Sequence, residues 1–182
     1  LLVKQDGVLA GVELARQIFH YYDPELQFKQ TIGDGDQVEA GNTAFTIEGR
    51  SRSILTTERL VLNCMQRMSG IATLTHEMVA ILIGSNTKIL DTRKTTPGFR
   101  MLEKWAVRIG GGENHRIGLY DMIMIKDNHI DFAGSITKAI QKTKKYLSDN
   151  DKDLEIIVEA RNLDEVNQIL NEGGIRRILL DN

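Results

Sequence analysis

The fold of this chain is indicated first by the stretch TKILDTRKTTPGFR, residues 87–100. Its apolar and β-branched start predicts a buried strand, and the two cations, the hydroxyls and the Pro-Gly pair that follow predict a polar loop. Loops at the end of a rigid strand commonly carry binding groups. An isolated Arg93-Lys94 pair would more simply solvate a loop, so a functional interpretation requires that the arrangement recur.

Downstream of this stretch, strands and helices are predicted to alternate. Strands are expected at 87–92, near 106–110, and at 121–126, 154–159 and 176–181, with helices near 98–105, 134–148 and 162–172. Such alternation is typical of an α/β protein with a parallel sheet and right-handed crossovers, either doubly wound or closed towards a barrel.

Upstream of the stretch, a long helix is predicted from about Thr57, capped by Thr56 or Thr57 and kinked or broken at Ser69-Gly70. Its buried face is expected to carry Leu60, Cys64, Met68, Ile71, Thr75, Met78 and Leu82. Because Cys64 is the single cysteine, it is more simply a small core residue than a nucleophile.

Before the long helix, the pattern predicts a small α/β unit. A helix is expected near 12–22 and strands near 26–32 and 44–49. The run GDGD at 33–36 lacks the Lys and the following helix of a phosphate-binding loop, so it is interpreted as turns. These patterns place the domain boundary near the start of the long helix, giving domains 1–63 and 64–182.

The composition narrows the class of protein. The 182 residues include 23 Lys and Arg against 25 Asp and Glu. The chain therefore has no excess of positive charge that would attract nucleic acid or an anionic membrane as a partner. No apolar run is long enough to span a bilayer, and no signal segment opens the chain, so a cytoplasmic location is predicted. The first residue is Leu1 and the last lies in a predicted strand, so a longer protein is expected.

Charged residues follow the predicted strands. They are Arg93 and Lys94, then His115 and Arg116 after three glycines at 110–112, then Lys126, Glu159 and Asp181. The carboxyl ends of parallel strands meet at one edge of a sheet, so these side chains are expected to converge on one site. The glycines would let the backbone approach a ligand. Each residue alone has a structural explanation, since strands must end in something polar.

The division of charge suggests what such a site would bind. Lys126 and Glu159 follow apolar runs directly, so both should be partly buried, where a charge needs a partner or a ligand. The cations would clamp a polyanionic substrate, and the two carboxylates would hold Mg²⁺ or sugar hydroxyls. The four His are too scattered for a metal cluster. Arg59, early in the long helix, is more simply a solvated side chain than an anion ligand.

The motifs themselves resemble a known family. The runs TRKTTPGFR at 92–100, GGGENHR at 110–116 and KDNH at 126–129 are similar to the signature of the quinolinate phosphoribosyltransferases. The resemblance extends to ERLVLN at 58–63 and LDN at 180–182. Ala160-Arg161 after Glu159 departs from the apolar-acidic pair that is more usual there.

The resemblance implies an N-terminal α/β sandwich followed by an incomplete α/β barrel, in a homodimer. It also implies transfer of phosphoribosyl from phosphoribosyl pyrophosphate to quinolinate with Mg²⁺ and loss of CO₂, a step in NAD synthesis. The implied substrate-binding residues are Arg59, Thr92, Arg93, Lys94, His115, Arg116, Lys126, Glu159 and Asp181. Among these, Lys126, Glu159 and Asp181 would be catalytic, Glu159 and Asp181 would hold Mg²⁺ through the substrate, and Arg59 would reach the partner's site.

Two alternatives stay open at this point. One is a related phosphoribosyltransferase that uses another base, such as nicotinate, or a paralogue connected with metal uptake. The other is a dimeric anion-binding scaffold without catalytic activity.

Overall fold

A computed structural model of the chain describes residues 1–181. The chain divides into two units, Leu1–His115 and Arg116–Asn182. Among the described residues, no helix is both long and apolar enough to cross a membrane.

The first unit combines short antiparallel strand pairs with three helices. In chain order its elements are β1 (Gly7–Val8), α1 (Val12–Tyr22), β2 (Gln27–Gln30), β3 (Gln37–Val38), β4 (Phe45–Glu48), α2 (Ser51–Ile81) and α3 (Arg100–Ile109). Strand β1 pairs with β3 and β2 pairs with β4, both antiparallel. Phe19, Phe28 and Phe45 pack together in the core between α1 and the β2–β4 pair, with ring centroids 4.4–6.2 Å apart.

The GDGD run forms turns, as predicted, and one of its carboxylates stabilises a helix. Asp34 accepts hydrogen bonds from the backbone N–H of Val12 at 2.8 Å and of Glu13 at 3.3 Å. These are orphan donors at the start of α1, and a negative charge there also complements the helix dipole. The residue before the helix is Gly11, with φ of 97° and no side chain to act as a cap.

Helix α2 is longer than the sequence predicts. It begins at Ser51 and runs through Ser69-Gly70 to Ile81, so the predicted start, caps and break are wrong. The hydroxyls of Thr56 and Thr57 instead donate to carbonyls four residues back, at 2.8 Å. The Ser69 hydroxyl accepts from the Ala10 N–H at 3.0 Å, which ties the segment after β1 to the helix.

The buried face of α2 differs partly from the prediction. Cys64, Met68 and Thr75 are buried as expected, and burial raises the pKa of the Cys64 thiol. The predicted burial of Leu60 and Met78 is wrong, since these side chains are 55% and 43% exposed. The hydrophobic side of the helix is rotated towards residues such as Val61, Met65 and Ala72, so an apolar face of α2 stays open to solvent.

The predicted strand near 106–110 is wrong, because these residues belong to α3. Its β-branched residues suggested a strand, but helical spacing buries Glu103, Lys104 and Ala106. The predicted strand at 87–92 is reduced to one parallel bridge between Leu90 and Glu113. Two backbone hydrogen bonds support it, from Glu113 N to Ile89 O and from Asp91 N to Glu113 O.

The second unit is built on a parallel three-stranded sheet. Its elements are β5 (Ile123–Ile125), α4 (Asp127–Ala133), α5 (Ile136–Asp149), β6 (Ile156–Ala160), α6 (Leu163–Glu172) and β7 (Arg177–Leu180), with strand order β5-β6-β7. The prediction found the three strands, α5 and α6 but not α4. Ser135 and Asn162 cap α5 and α6 through their side-chain oxygens, as the preference of these residues for N-caps leads one to expect.

The two faces of this sheet have different roles. Ile125, Val158, Ala160 and Ile178 pack in one cluster with residues of the helices. Because side chains alternate along a strand, Met124, Ile157, Glu159, Arg177 and Leu179 lie on the opposite face.

Candidate functional site

The cationic loop after residue 91 is held by two arginines that the sequence analysis did not select. Arg67 on α2 donates from Nη2 to Thr96 Oγ1 at 2.9 Å and to Glu103 Oε1 at 2.6 Å. Arg100 donates from Nε to Thr95 Oγ1 at 3.1 Å and from Nη2 to the Arg93 carbonyl at 3.3 Å. The loop is therefore anchored through both side chains and backbone.

Glu103 is the buried partner in this arrangement. Its Oε2 accepts from the Thr96 N–H at 3.2 Å. Burial by itself raises the pKa of Glu103, but the hydrogen bonds from Arg67 and Thr96 outweigh it and the pKa lies below its ordinary value. The carboxylate is therefore held in its charged form.

Within the anchored loop, the candidate side chains differ in exposure. Lys94 and Thr92 are exposed, and the Thr92 hydroxyl accepts from the Lys94 N–H at 3.0 Å. Arg93 is half-buried, and its Nε is buried without a hydrogen-bond partner among residues 1–181. Buried donors are nearly always paired, so this nitrogen is suited to an acceptor on a ligand.

The residue before the loop, Asp91, belongs to a buried polar network. Its Oδ1 accepts from Lys104 Nζ at 2.5 Å and from the His115 N–H at 2.8 Å. Lys104 Nζ also donates to the His115 carbonyl at 2.9 Å. With its amide oriented to satisfy both groups, Asn114 donates to Asp91 Oδ2 at 2.8 Å and to the Lys104 carbonyl at 2.9 Å. The network joins the cationic loop to half-buried His115.

Two of the three glycines at 110–112 serve packing within the first unit. A Cβ added at Gly110 would lie 2.4 Å from the Ala72 carbonyl oxygen, and one at Gly112 would lie 2.8 Å from Val107 Cγ1. Both are shorter than any tolerated contact, so glycine is required by the approach of α2 and α3. The predicted approach of this backbone to a ligand stays a prediction.

In the second unit, Arg116 is buried beside β5. Its Nη1 donates to the Met122 carbonyl at 3.4 Å, and its Nη2 lies 3.2 Å from Met124 Sδ. Met124 is on the sheet face opposite the helices, so the guanidinium of Arg116 lies on that face as well.

The carboxyl edge of the parallel sheet brings together Lys126, Glu159 and Asp181. Ile125 pairs with Val158, and the Asp181 N–H donates to the Ala160 carbonyl at 2.9 Å. By strand alternation the Glu159 side chain belongs to the face opposite the helices, while Lys126 and Asp181 directly follow the last residues of β5 and β7. Glu159 is half-buried, as predicted.

Lys126 departs from the prediction because it is exposed. The chain turns directly from β5 into α4, and Lys126 is the N-cap residue of that unpredicted helix. The Lys126 N–H donates to His129 Nδ1 at 2.9 Å, so His129 supports the start of α4.

Arg177 is a further cation on this sheet face. It pairs in register with Ile157, two positions before the partner of Glu159, and its Nη1 is buried without a partner among residues 1–181. Sequence reasoning missed it because it considered the ends of strands, whereas Arg177 begins one. A charged residue at the start of the apolar run RILL was the available signal.

The predicted site residues thus fall into two groups. Thr92, Arg93, Lys94 and His115 belong to the first unit, and Arg116, Lys126, Glu159 and Asp181 to the second. Arg59 lies on α2, exposed and without a hydrogen bond or ion pair among residues 1–181. The convergence of both groups on one site stays a prediction.

Comparison with known proteins assigns both parts of the chain. The family model of the quinolinate phosphoribosyl transferase N-terminal domain matches residues 1–69 of the sequence. The family model of the C-terminal domain matches residues 71–182. The domain boundary predicted between residues 63 and 64 stays a prediction.

Curated relatives match along the whole chain. Quinolinate phosphoribosyltransferase (decarboxylating) 1b of Nicotiana tabacum is 47% identical over 100% of this chain and 53% of its own length. A probable nicotinate-nucleotide pyrophosphorylase (carboxylating) of Synechocystis is 45% identical over 100% of this chain and 60% of its own length. The chain therefore spans between half and two thirds of these relatives.

Solved structures confirm the α/β fold class. NadC from Streptococcus pyogenes superposes with a TM-score of 0.92 at 41% identity, covering 100% of this chain and 63% of that protein. The nicotinate-nucleotide pyrophosphorylase of Francisella tularensis gives a TM-score of 0.91 at 42% identity, with the same coverage. With both domain models matched in order along its length, this chain belongs to the quinolinate phosphoribosyltransferase family.

Proposed function

We propose that this protein transfers the phosphoribosyl group of phosphoribosyl pyrophosphate to quinolinate with loss of CO₂, forming nicotinate mononucleotide and pyrophosphate for NAD biosynthesis. The observation that carries the proposal is the anchored cationic loop, in which Arg93 Nε is buried without a partner among residues 1–181. Membership of the family supports the same reaction.

Quinolinate carries two carboxylates on adjacent ring carbons, and the cations would bind them. The planar guanidinium of Arg93 can make two parallel hydrogen bonds to one carboxylate, whereas the exposed ammonium of Lys94 acts as a point charge. Anchoring by Arg67 and Arg100 fixes the loop before the substrate arrives, so little ordering is required on binding.

The first bond change is at C1 of the ribose. The C1–O bond to pyrophosphate breaks with its electron pair on the leaving group, and the lone pair of the pyridine nitrogen forms the new N–C1 bond. Positive charge develops on the sugar in between. The carboxylates of Glu159 and Asp181 would stabilise that charge and bind the ribose hydroxyls.

The same two carboxylates are the groups that would hold Mg²⁺. No group of three or more His, Cys, Asp or Glu side chains within residues 1–181 could hold a metal ion. Mg²⁺ keeps several waters and is commonly bound by one or two carboxylates together with substrate phosphates, so these two residues would be enough to hold it. When bound, Mg²⁺ would neutralise charge on the departing pyrophosphate.

The second bond change is decarboxylation. The ring nitrogen is cationic after C–N bond formation, so its positive charge stabilises the electron pair left on the adjacent ring carbon when the C–C bond to CO₂ breaks. A proton from solvent then replaces the carboxylate. Lys126, exposed at the end of β5, would orient the departing carboxylate and would not act as a nucleophile.

The proposal includes a homodimer in which Arg59 completes the partner's site. Arg59 is exposed on α2, next to the exposed apolar side chains of Leu55 and Leu60. Neighbouring aliphatic side chains that are exposed together are typical of interfaces. In an isologous dimer each subunit presents the same residue to the other. The cytoplasmic location stays a prediction, since some relatives carry the words mitochondrial or chloroplastic in their names.

The test is turnover by the full-length protein. With Mg²⁺ and phosphoribosyl pyrophosphate, nicotinate mononucleotide should form from quinolinate and not from nicotinate. Formation from nicotinate alone would identify a related phosphoribosyltransferase, and the absence of turnover with either base would contradict the proposal.

A further inference from the structure

The ion pair between Asp91 and Lys104 holds both backbone polar groups of His115. The two side chains are 7% and 2% exposed. Asp91 accepts from the His115 N–H, and Lys104 donates to the His115 carbonyl. One buried pair therefore fixes the backbone on each side of a residue that the proposed function assigns to quinolinate.

The same pair also holds the start of the cationic loop. Asp91 immediately precedes Thr92-Arg93-Lys94, and Lys104 lies on α3, which follows the loop. Asn114 closes the network by donating to Asp91 Oδ2. The loop that carries Arg93 and the segment that carries His115 are thus joined through side chains that would not themselves touch the substrate.

Stability alone explains this arrangement poorly. Replacing a buried ion pair by apolar residues of similar volume is often neutral or stabilising, whereas removing one partner is strongly destabilising. A geometric function accounts for it better, because a dicarboxylate is bound well only when its cations keep a fixed separation.

We propose that Asp91 and Lys104 are a positioning pair that sets the placement of Arg93, Lys94 and His115 for quinolinate. This inference rests on the proposed function. It predicts that loss of the pair impairs quinolinate binding beyond any effect on folding.

The decisive variant is the full-length double substitution Asp91→Asn/Lys104→Met. Each single substitution leaves one buried charge uncompensated, so both singles should be less stable. The double variant contains neither charge and should regain most of the stability. The hydrogen bond from Lys104 to the His115 carbonyl is nevertheless lost. We therefore expect kcat/KM for quinolinate to fall roughly 10- to 100-fold, while KM for phosphoribosyl pyrophosphate stays near the wild-type value.

Lys144→Met is the matched control. Lys144 Nζ also donates to two carbonyls at the end of α6, those of Glu172 at 2.9 Å and Gly173 at 2.8 Å. These groups precede β7 and so lie at the edge of the sheet opposite to Asp181. The same Lys→Met change should therefore alter stability without changing KM for quinolinate.

If the double variant does not fold, Lys104→Arg decides the question, because it keeps the charge and alters only the geometry. A raised KM confined to quinolinate supports the positioning pair. Wild-type KM in a stable Lys104→Arg or double variant overturns it.

A measurement without turnover separates this inference from the proposed function. The imidazole NMR signals of His115, assigned with His115→Gln, should shift in the double variant or in Lys104→Arg but not in Lys144→Met. Unchanged signals would overturn the positioning pair, whether or not the wild-type protein turns over quinolinate. An inactive wild type with shifted signals would contradict only the proposed function.

Discussion

Arg67 on α2 and Glu103 on α3 form an ion pair with Nη2 and Oε1 2.6 Å apart, and both residues also bind Thr96 of the cationic loop. Glu103 is 9% exposed in its side chain, whereas Arg67 is 52% exposed. The pair is therefore a partly solvated anchor between two helices and the loop that carries Arg93 and Lys94.

Glu103→Gln should reduce the free energy of unfolding by about 1.5–3 kcal/mol at pH 7, the range for hydrogen bonds to a charged group. The folded-state pKa of Glu103 lies below its ordinary value of 4.5, so its contribution is present above that pH and is lost as pH falls through the folded-state pKa. Urea unfolding should show the difference from wild type shrinking below about pH 4.5.

Glu155→Gln is the control for this prediction. Glu155 pairs with Arg176 at 3.1 Å, with both side chains more than half exposed, and such pairs contribute about 0–1 kcal/mol. Equal losses in the two variants at pH 7 would show that Glu103 is no more than a surface charge.

Lys94→Ala should weaken quinolinate binding without changing the melting temperature. Lys94 is exposed and no ion pair within residues 1–181 involves its side chain, so folding does not depend on it. Loss of one charge from a desolvated complex commonly costs roughly 2–5 kcal/mol of binding free energy. Calorimetric titration with quinolinate measures the change, with the exposed Lys152→Ala as control. An affinity equal to that of wild type would remove Lys94 from the substrate site.

Alanine substitutions at Gly70 and Gly110 should change the stability of the protein in opposite directions. Gly70→Ala should stabilise the protein by about 0.5–1 kcal/mol, since Gly70 is inside α2 and Ala is the better helix residue, and an added Cβ meets nothing within 4 Å. Gly110→Ala should destabilise it by roughly 1–3 kcal/mol, the usual range for overpacking. Thermal unfolding of both variants is the measurement, and a stable Gly110→Ala variant would show that α2 and α3 approach less closely than described.

Arg59→Ala and Lys126→Ala test the shared site of the proposed homodimer. Each variant alone should be nearly inactive. A mixed dimer has one site with both defects and one with neither, so random subunit exchange should restore about a quarter of wild-type activity by symmetry. Native mass spectrometry of isotope-labelled subunits establishes that exchange has occurred. Activity that then stays at the level of the single variants would show that Arg59 acts within its own subunit or only in structure.

The sequence predicted the second unit better than the loop region before it. Strands β5, β6 and β7 each contain an uninterrupted run of three apolar residues, and Asn162 marks the start of α6, so local patterns were sufficient. The helix predicted near 98–105 is present as α3, but the prediction ended it too early because Val107 and Ile109 suggested a strand. Its buried charges, Glu103 and Lys104, are stabilised by partners 36 and 13 positions away, which a local pattern does not contain.

The candidate site was predictable in the charged residues of its sequence motifs and not in the residues that hold them in place. Arg93, Lys94 and His115 belong to recognisable motifs. Asp91 and Lys104 do not stand out, because their importance comes from the pairing that the fold creates. The exposure of Lys126 was equally hidden, since it depends on an unpredicted helix, α4, beginning directly after β5.

The central claim is that one protein couples phosphoribosyl transfer to decarboxylation of quinolinate. Quinolinate labelled with ¹⁴C in the carboxylate next to the ring nitrogen tests it most directly, with full-length protein, Mg²⁺ and phosphoribosyl pyrophosphate. The account predicts labelled CO₂, pyrophosphate and nicotinate mononucleotide in equal amounts, and no CO₂ when phosphoribosyl pyrophosphate is omitted. Pyrophosphate release without labelled CO₂, or labelled CO₂ without phosphoribosyl pyrophosphate, would contradict it.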